Sequence, residues 1–277
     1  MIQFGQDCDG GTSAKYDMVT VRLKRHQKSF FAGVVGYTGG DIPVCATARK
    51  FAVGRLSGVR PFGLEDDCIS TIGYGDVVTL KFDTDSTRIC DALKGNFGTL
   101  DLDGSGTAEV KDSIKYGSST VVCADAVPDC TNFLFATQPG NAITINQSLK
   151  WIEDNTPAAC DTWDEVVLGE GLDETINPDC NPWRSDYVTR HGTDATRLWV
   201  IPIVDGMWDA AGATEIHIKA FAVVFWDGKA SDCKGGGGGP TKCDINAIFV
   251  ESDVNLPGYD YVEYYRGATA TKVVLIK

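Results

Sequence analysis

Histidine is scarce in this chain: His26, His191 and His217 are the only three among 277 residues. No G-x-S-x-G elbow, HExxH pair or P-loop is present, so the common signatures of serine hydrolases, zinc proteases and nucleotide-binding enzymes are missing. No CxxC pair occurs, and no Cys/His cluster has the spacing of zinc ligands. Positive charge is short as well, with 25 Lys and Arg against 38 Asp and Glu and a net charge of -13. That balance repels phosphate backbones and anionic lipid, and so argues against nucleic-acid binding and against docking on acidic membranes. No run of eighteen apolar residues occurs, which excludes a membrane-spanning helix within the sequence. The opening Met1-Ile2-Gln3-Phe4-Gly5-Gln6-Asp7 lacks both the basic start and the apolar stretch of a signal peptide.

What is abundant is cysteine, ten in all: Cys8, Cys45, Cys68, Cys90, Cys123, Cys130, Cys160, Cys180, Cys233 and Cys243. An even number without metal spacing reads as a disulfide framework made in an oxidising compartment. Ten cysteines allow about 945 connectivities. The two short loops, Cys123 with Cys130 and Cys233 with Cys243, are the first expectation, and sequential pairing of Cys8–Cys45, Cys68–Cys90 and Cys160–Cys180 the second. Such cysteines without an export signal imply an anchor or signal ahead of Ile2 that this sequence does not include.

Hydrophobic residues make up 43% of the chain, the composition of a folded protein with a substantial core. β-Branched content and alternation predict strands at residues 19–23, 42–53, 77–82, 198–204, 215–226, 245–250 and 272–276. Val44, Ala46 and Ala48 share one strand face. Residues 215–219 alternate strictly and then pass into the apolar run 220–226, which is expected to enter a sheet centre. Short helices are expected around Val110 and Ile114, over 145–155 with Thr144 as cap and Pro157 beyond, and over 30–36. Gly235 to Gly239, flanked by Cys233 and Cys243, reads as the tip of a stapled hairpin. The expected fold is mainly β, β-sandwich-like, with a few short helices: a disulfide-stapled α+β or all-β ectodomain. One domain over 1–277 is expected, with 120–195 as the stretch where a loop- and helix-rich insertion would fall.

The sharpest local motif runs from Asp101 to Asp112. Calcium needs six to eight oxygens on a sharply turning loop. Asp101, Asp103 and Ser105 fill positions one, three and five of an EF-hand-type loop, with Gly106 at the turn. Thr107 would offer its carbonyl, Glu109 the water-linked position and Asp112 the last carboxylate. The final residue departs from the usual Glu, no entering helix precedes the loop, and residues 95–100 read as extended. An acidic turn serving backbone geometry and helix capping is the other reading. His191, with Asp194 nearby, is the only candidate base; His26 reads as part of a solvated basic turn and His217 as the polar face of a strand. The acidic runs 161–165 and 170–174 read as solvated faces. Trp163, Trp183 and Trp208 lie in loop-like surroundings, where tryptophans in a disulfide-rich fold pack over the bridges or else bind glycans or partners.

Several segments follow one another in a familiar order: Ile2-Gln3-Phe4-Gly5-Gln6, Val19 to Arg25, Ser29 to Gly36, and Val44-Cys45-Ala46-Thr47-Ala48. Further on come Val59-Arg60-Pro61-Phe62-Gly63-Leu64, Gly95 to Gly104, Gln138-Pro139-Gly140-Asn141, Val200 to Asp205, and the apolar strand Ala220 to Phe225. This succession resembles the ectodomain of bacterial TadE/TadG-like Flp (tight adherence) pilus-assembly proteins, across most of the chain up to about Pro257. The tail 259–277 has no counterpart, and the metal-dependent adhesion motif that some TadG proteins carry is absent. The resemblance implies an N-terminal transmembrane helix, a location outside the cytoplasmic membrane at the cell surface, and partners among other pilus or secretion-apparatus subunits. It supplies no catalytic residues. The expectation is therefore a non-enzymatic structural or adhesive component acting by protein–protein contact, with calcium as its one candidate cofactor. A secreted module for a glycan or other ligand is the alternative, and a secreted hydrolase using His191 a distant one.

Overall fold

The computed structural model describes residues 2–4, 8, 18–27, 40–69, 72, 75–81, 96–104, 106–139, 145–169, 174–207, 212–232, 244–250, 254–256, 261–263 and 270–275. In order, these form β1 (Ile2–Phe4), β2 (Met18–Gln27), β3 (Gly40–Val53), β4 (Arg55–Leu56), β5 (Leu64–Glu65), α1 (Asp66–Ile69), β6 (Val77–Lys81) and β7 (Asn96–Leu100). Then come α2 (Thr107–Tyr116), β8 (Val122–Cys123), β9 (Leu134–Pro139), α3 (Ile145–Asn155), α4 (Trp163–Val166), β10 (Val167–Leu168), β11 (Thr175–Ile176) and α5 (Tyr187–His191). The last are β12 (Leu198–Asp205), β13 (Glu215–Trp226), β14 (Ile245–Phe249), β15 (Val254–Asn255), β16 (Tyr261–Glu263) and β17 (Ala270–Leu275). Strand outweighs helix, and the sheets are open, so the mainly β fold with short helices is the one expected. Each of the seven stretches read as strands contains one. The helix expected over 30–36, the Thr144 cap and the glycine-rich tip at 235–239 lie outside the described residues.

The chain divides into two compact units, residues 1–51 with 272–277 and residues 52–271. The sequence reading draws no boundary there; the stretch 120–195 lies wholly inside the second unit. In the first unit β1, β2 and β3 pair antiparallel, and β2 and β3 stay in register from Met18 opposite Arg49 to Gln27 opposite Gly40.

The second unit is organised by β13. It pairs antiparallel with β12 along its length, with β9 at its start (Glu215 to His217) and with β14 at its end (Val224 to Trp226). β12 in turn pairs parallel with β5, and β14 antiparallel with β6. Along β13, Glu215 and His217 are exposed, Ile216 and Ile218 are buried, and every residue from Ala220 to Trp226 is buried. The alternation stops where cover begins on both faces. The register shifts where Val204 faces Ile218 but Ile203 faces Ala220, so Lys219 is the extra residue of a β-bulge. The bulge reverses the alternation and brings Ile216 and Ile218 onto the same face as Phe221, Val223 and Phe225. Lys219 itself reaches Asp125 at 2.8 Å and Asp205 at 3.4 Å.

The two faces of this sheet are covered differently. On one, Trp199, Ile201, Ala222 and Val224 meet Val110 and Ile114 of α2 and Ile145, Leu149 and Ile152 of α3. The spacing of those α3 residues is that of one helical face. On the other, Leu198, Val200, Val223 and Phe225 meet Leu56, Val59, Leu100, Val122, Val166 and Val167, with Cys160 and Cys180 among them. Phe62, Trp199 and Trp226 stack in sequence with ring centroids 5.6 and 5.5 Å apart.

Among the described residues, disulfides join Cys8 to Cys45, Cys123 to Cys130 and Cys160 to Cys180, each a pairing expected from the sequence. Cys68 is also disulfide-bonded; Cys90, Cys233 and Cys243 lie outside the described residues. Bridges of this kind mark an oxidising, extracytoplasmic environment. Removing Cys160–Cys180 by the double substitution Cys160→Ala/Cys180→Ala is expected to lower stability by about 3 kcal/mol. The midpoint of denaturant unfolding under non-reducing conditions measures it.

Candidate functional site

The acidic loop sits between β7 and α2, a strand–loop–helix arrangement with no entering helix. β7 arrives already fixed: the Leu100 N–H donates to the Pro61 carbonyl and the Asp101 N–H to the Ala136 carbonyl, each at 2.9 Å. Gly104 follows with φ +109, a conformation that side chains disfavour. α2 then begins after Gly106 with no side-chain cap, and Glu109 stands in its first turn, favoured by the helix dipole.

Asp103 is the pivot of this loop. Its Oδ2 accepts from the Ser113 hydroxyl at 2.7 Å and the Ser119 N–H at 3.0 Å; its Oδ1 accepts from the Thr120 N–H at 2.8 Å and the Ser119 hydroxyl at 3.0 Å. Burial opposes ionisation, but the bonds from Ser113, Thr120 and Ser119 outweigh it and hold the carboxyl below the ordinary aspartate range. Asp101 is the opposite case. Burial, and then the charges of Glu109 and Asp103, push its carboxyl up, and its buried Oδ1 has no hydrogen-bond partner.

Asp112 lies exposed on α2, and Glu109 is exposed as well. Ser105 and the Thr107 side chain lie outside the described residues. Among the described residues, no group of three or more His, Cys, Asp or Glu side chains is placed to hold a metal ion. What Asp103 visibly does is tie the 117–120 turn to α2.

The far end of α2 carries a group that the sequence reading missed. Arg60 is buried, and its guanidinium donates to the Ile114 carbonyl at 2.7 Å and approaches that of Ser113 at 3.5 Å. Positive charge is favoured at a helix C-terminus, where carbonyls lack intrahelical partners. Burial lowers its pKa to about 10, against the pull of Asp194, so it stays charged at neutral pH. Gly117 closes the helix with φ +80, and a Cβ there would overlap the Gly58 backbone. No periodicity marks a lone arginine as a buried cap; only the fold brings residue 60 to the end of a helix fifty residues later.

The acidic run 161–165 is exposed to half-buried, as a solvated face is, and two of its carboxylates also hold structural partners. Asp161 accepts from Arg197 Nε at 2.6 Å; that arginine is 6% exposed, also donates to the Trp226 and Gly228 carbonyls, and lies 4.6 Å over the Trp226 ring. A buried guanidinium requires such partners. Glu165 completes a capping box with Thr162 at the start of α4. Glu174 is buried, and 170–173 lie outside the described residues.

The histidines are dispersed. His26 pairs with Asp41 at 3.0 Å on an exposed hairpin, and His217 is exposed on β13 beside Phe133. His191 Nε2 bonds the Asp179 carbonyl at 2.8 Å, and its ring lies against Tyr187, whose hydroxyl donates to Ala195 and whose pKa burial pushes up to about 12. Trp163 packs edge-on against Phe225 and, with Trp183, joins the cluster holding the Cys160–Cys180 bridge; Trp208 lies outside the described residues. A cavity of about 200 Å³, lined by Leu149, Trp226, Lys229, Asp244 and Asn246 among others, is smaller than the pockets that engulf drug-sized ligands. Among the described residues no helix is long and apolar enough to cross a membrane.

Asp103→Ala is expected to lower stability at pH 7 by about 2–4 kcal/mol, through unsatisfied donors in the 113–120 turn. Because the folded carboxyl titrates below its unfolded value, its contribution is complete above the ordinary carboxylate range and is lost as pH falls through the folded pKa. The stability difference between wild type and variant should therefore shrink below about pH 4, which denaturation curves across pH 2–7 would measure.

No family model matches this chain, and neither a curated protein nor a solved structure matches it.

Proposed function

We propose that this chain is a non-enzymatic cell-surface component of a Tad/Flp-type pilus or secretion apparatus, working through protein–protein contact. The observation that carries the reading is how the landmarks of the TadE/TadG resemblance relate in space. Residues 59–64, 96–104, 200–205 and 220–225 come from separate stretches of the sequence, yet they form one hydrogen-bonded block. The Arg60 N–H donates to the Val200 carbonyl at 2.7 Å, the Gly63 N–H to Gly98 and the Leu100 N–H to Pro61, both at 2.9 Å, while residues 220–225 pair with β12. Landmarks that define a scaffold fit a protein whose work is to hold surfaces in place. The disulfides support a site of action outside the cytoplasm. In this reading the native protein is tethered by a helix ahead of Ile2 and meets other apparatus subunits or surface ligands, not nucleic acid.

Calcium belongs to the same reading as the ion that orders the 101–112 loop. Asp101 favours it: a carboxyl oxygen without a partner, crowded by Asp103 and Glu109, is a group that a cation would relieve.

Fractionation of cells expressing the full-length native product tests the main reading: it should sediment with the envelope and copurify with sheared pili. Recovery solely as free soluble protein would count against it. For calcium, the melting temperature should rise by about 5 °C at roughly a hundredfold excess over Kd. Chelator and Asp101→Asn should each abolish that rise; coincident melts with calcium and with chelator would remove the ion from the reading.

A further inference from the structure

The β2–β3 pair of the first unit encloses threonines on one side and exposes aliphatic residues on the other, and toward Lys24, His26 and Asp41 both sides are exposed. Met18, Thr20 and Thr47 are buried, and the two threonine hydroxyls meet at 2.8 Å. The opposite face is aliphatic and open: Ile2 is 64% exposed, Leu23 59%, Val44 53%, Ile42 50% and Val19 38%. The register gathers these five. Leu23 stands opposite Val44, Arg25 opposite Ile42 and Ile2 opposite Val21, all on the side of the odd-numbered β2 residues. An antiparallel sheet with one wet face ordinarily turns its polar side outward. A contiguous aliphatic face left open to water marks a place of contact.

Charge identifies the partner. The first unit holds nine Lys and Arg against four Asp and Glu, whereas the second holds sixteen against thirty-four. Net charges of +5 and -18 follow, so the overall -13 conceals a basic unit carried on the same chain as a strongly acidic one. Arg25 is exposed among the aliphatic residues of this face, and Lys24 is exposed on the reverse side of the same strand. Face-to-face pairing of two first units would set positive against positive. Wherever a second copy is present, its second unit offers an acidic surface of opposite charge to this face.

We propose that the open β2–β3 face of one chain docks on the acidic second unit of a second chain, head to tail. Such a contact is heterologous: each copy keeps one free face and one free acidic unit, so copies add in series unless the rotation closes a ring. Aliphatic contact supplies cohesion, and charge supplies orientation and rate. The inference goes beyond the pilus reading and stands without it, since it rests only on exposure and charge.

Sedimentation velocity of the full chain tests it at about 20 mM and about 500 mM salt, where the screening length changes severalfold. At low salt the sedimentation coefficient should climb with concentration, and high salt should weaken association about tenfold or more. Leu23→Ser/Val44→Ser and Lys24→Glu/Arg25→Glu should each weaken it to a similar degree while leaving the circular dichroism and melting temperature of the monomer unchanged. A chain that stays monomeric at low salt would overturn the proposal, as would association indifferent to both variants. Flotation with phosphatidylglycerol vesicles by a chain that does not self-associate would assign the face to a bilayer and overturn it too.

Discussion

The second unit depends on one strand being covered on both faces. β13 takes three partners along its two edges, and its last seven residues are sealed between helices on one side and short strands and disulfide-linked loops on the other. A strand so placed exposes no side chain to water, so each residue must be apolar, and the run Ala220 to Trp226 is. The bulge at Lys219 is what makes this compatible with a half-exposed beginning. By inserting one residue, it lets Ile216 and Ile218 share a face with Phe221, and it turns the lysine toward Asp125 and Asp205.

Several charged side chains in this unit hold irregular backbone. Asp103 gathers four donors from the end of α2 and the turn after it, Arg60 takes the helix carbonyls, and Glu65 accepts from Gly206 and Met207 at 3.0 and 2.8 Å. Arg197 joins two loop carbonyls, Asp161 and the face of Trp226. A chain with 31 glycines carries long connections whose polar groups still need partners when they fold inward. Buried ionic groups are the partners found here, and the disulfides limit how far the same loops stray when unfolded.

Much of this was legible beforehand. α3 announced itself through Ile145, Leu149 and Ile152, β13 through its change from alternation to continuous apolarity, and the bridges through the spacing of neighbouring cysteines. These are local signals, carried by residues within a few turns or one short loop of each other. The loop at 101–112 was legible as an acidic turn leading into a helix. The commitment of Asp103 to Ser119 and Thr120 was not, because those donors reach it only after α2 has turned the chain back.

The sequence alone located seven of the seventeen strands among the described residues, because alternation and β-branching act residue by residue. It determined an oxidised, extracytoplasmic framework because cysteine number and spacing are written in it. Which side of a strand meets the core was decided only by the tertiary structure. Val19-Thr20-Val21-Arg22-Leu23 alternates as any half-buried strand would, yet the threonine is enclosed and the aliphatic side is left open. A period of two states that a strand has two faces; which one is buried depends on what folds against it. The same holds for charge: a net -13 was plain from composition, but its division into a basic unit and an acidic one exists only once the chain's two ends meet in one unit.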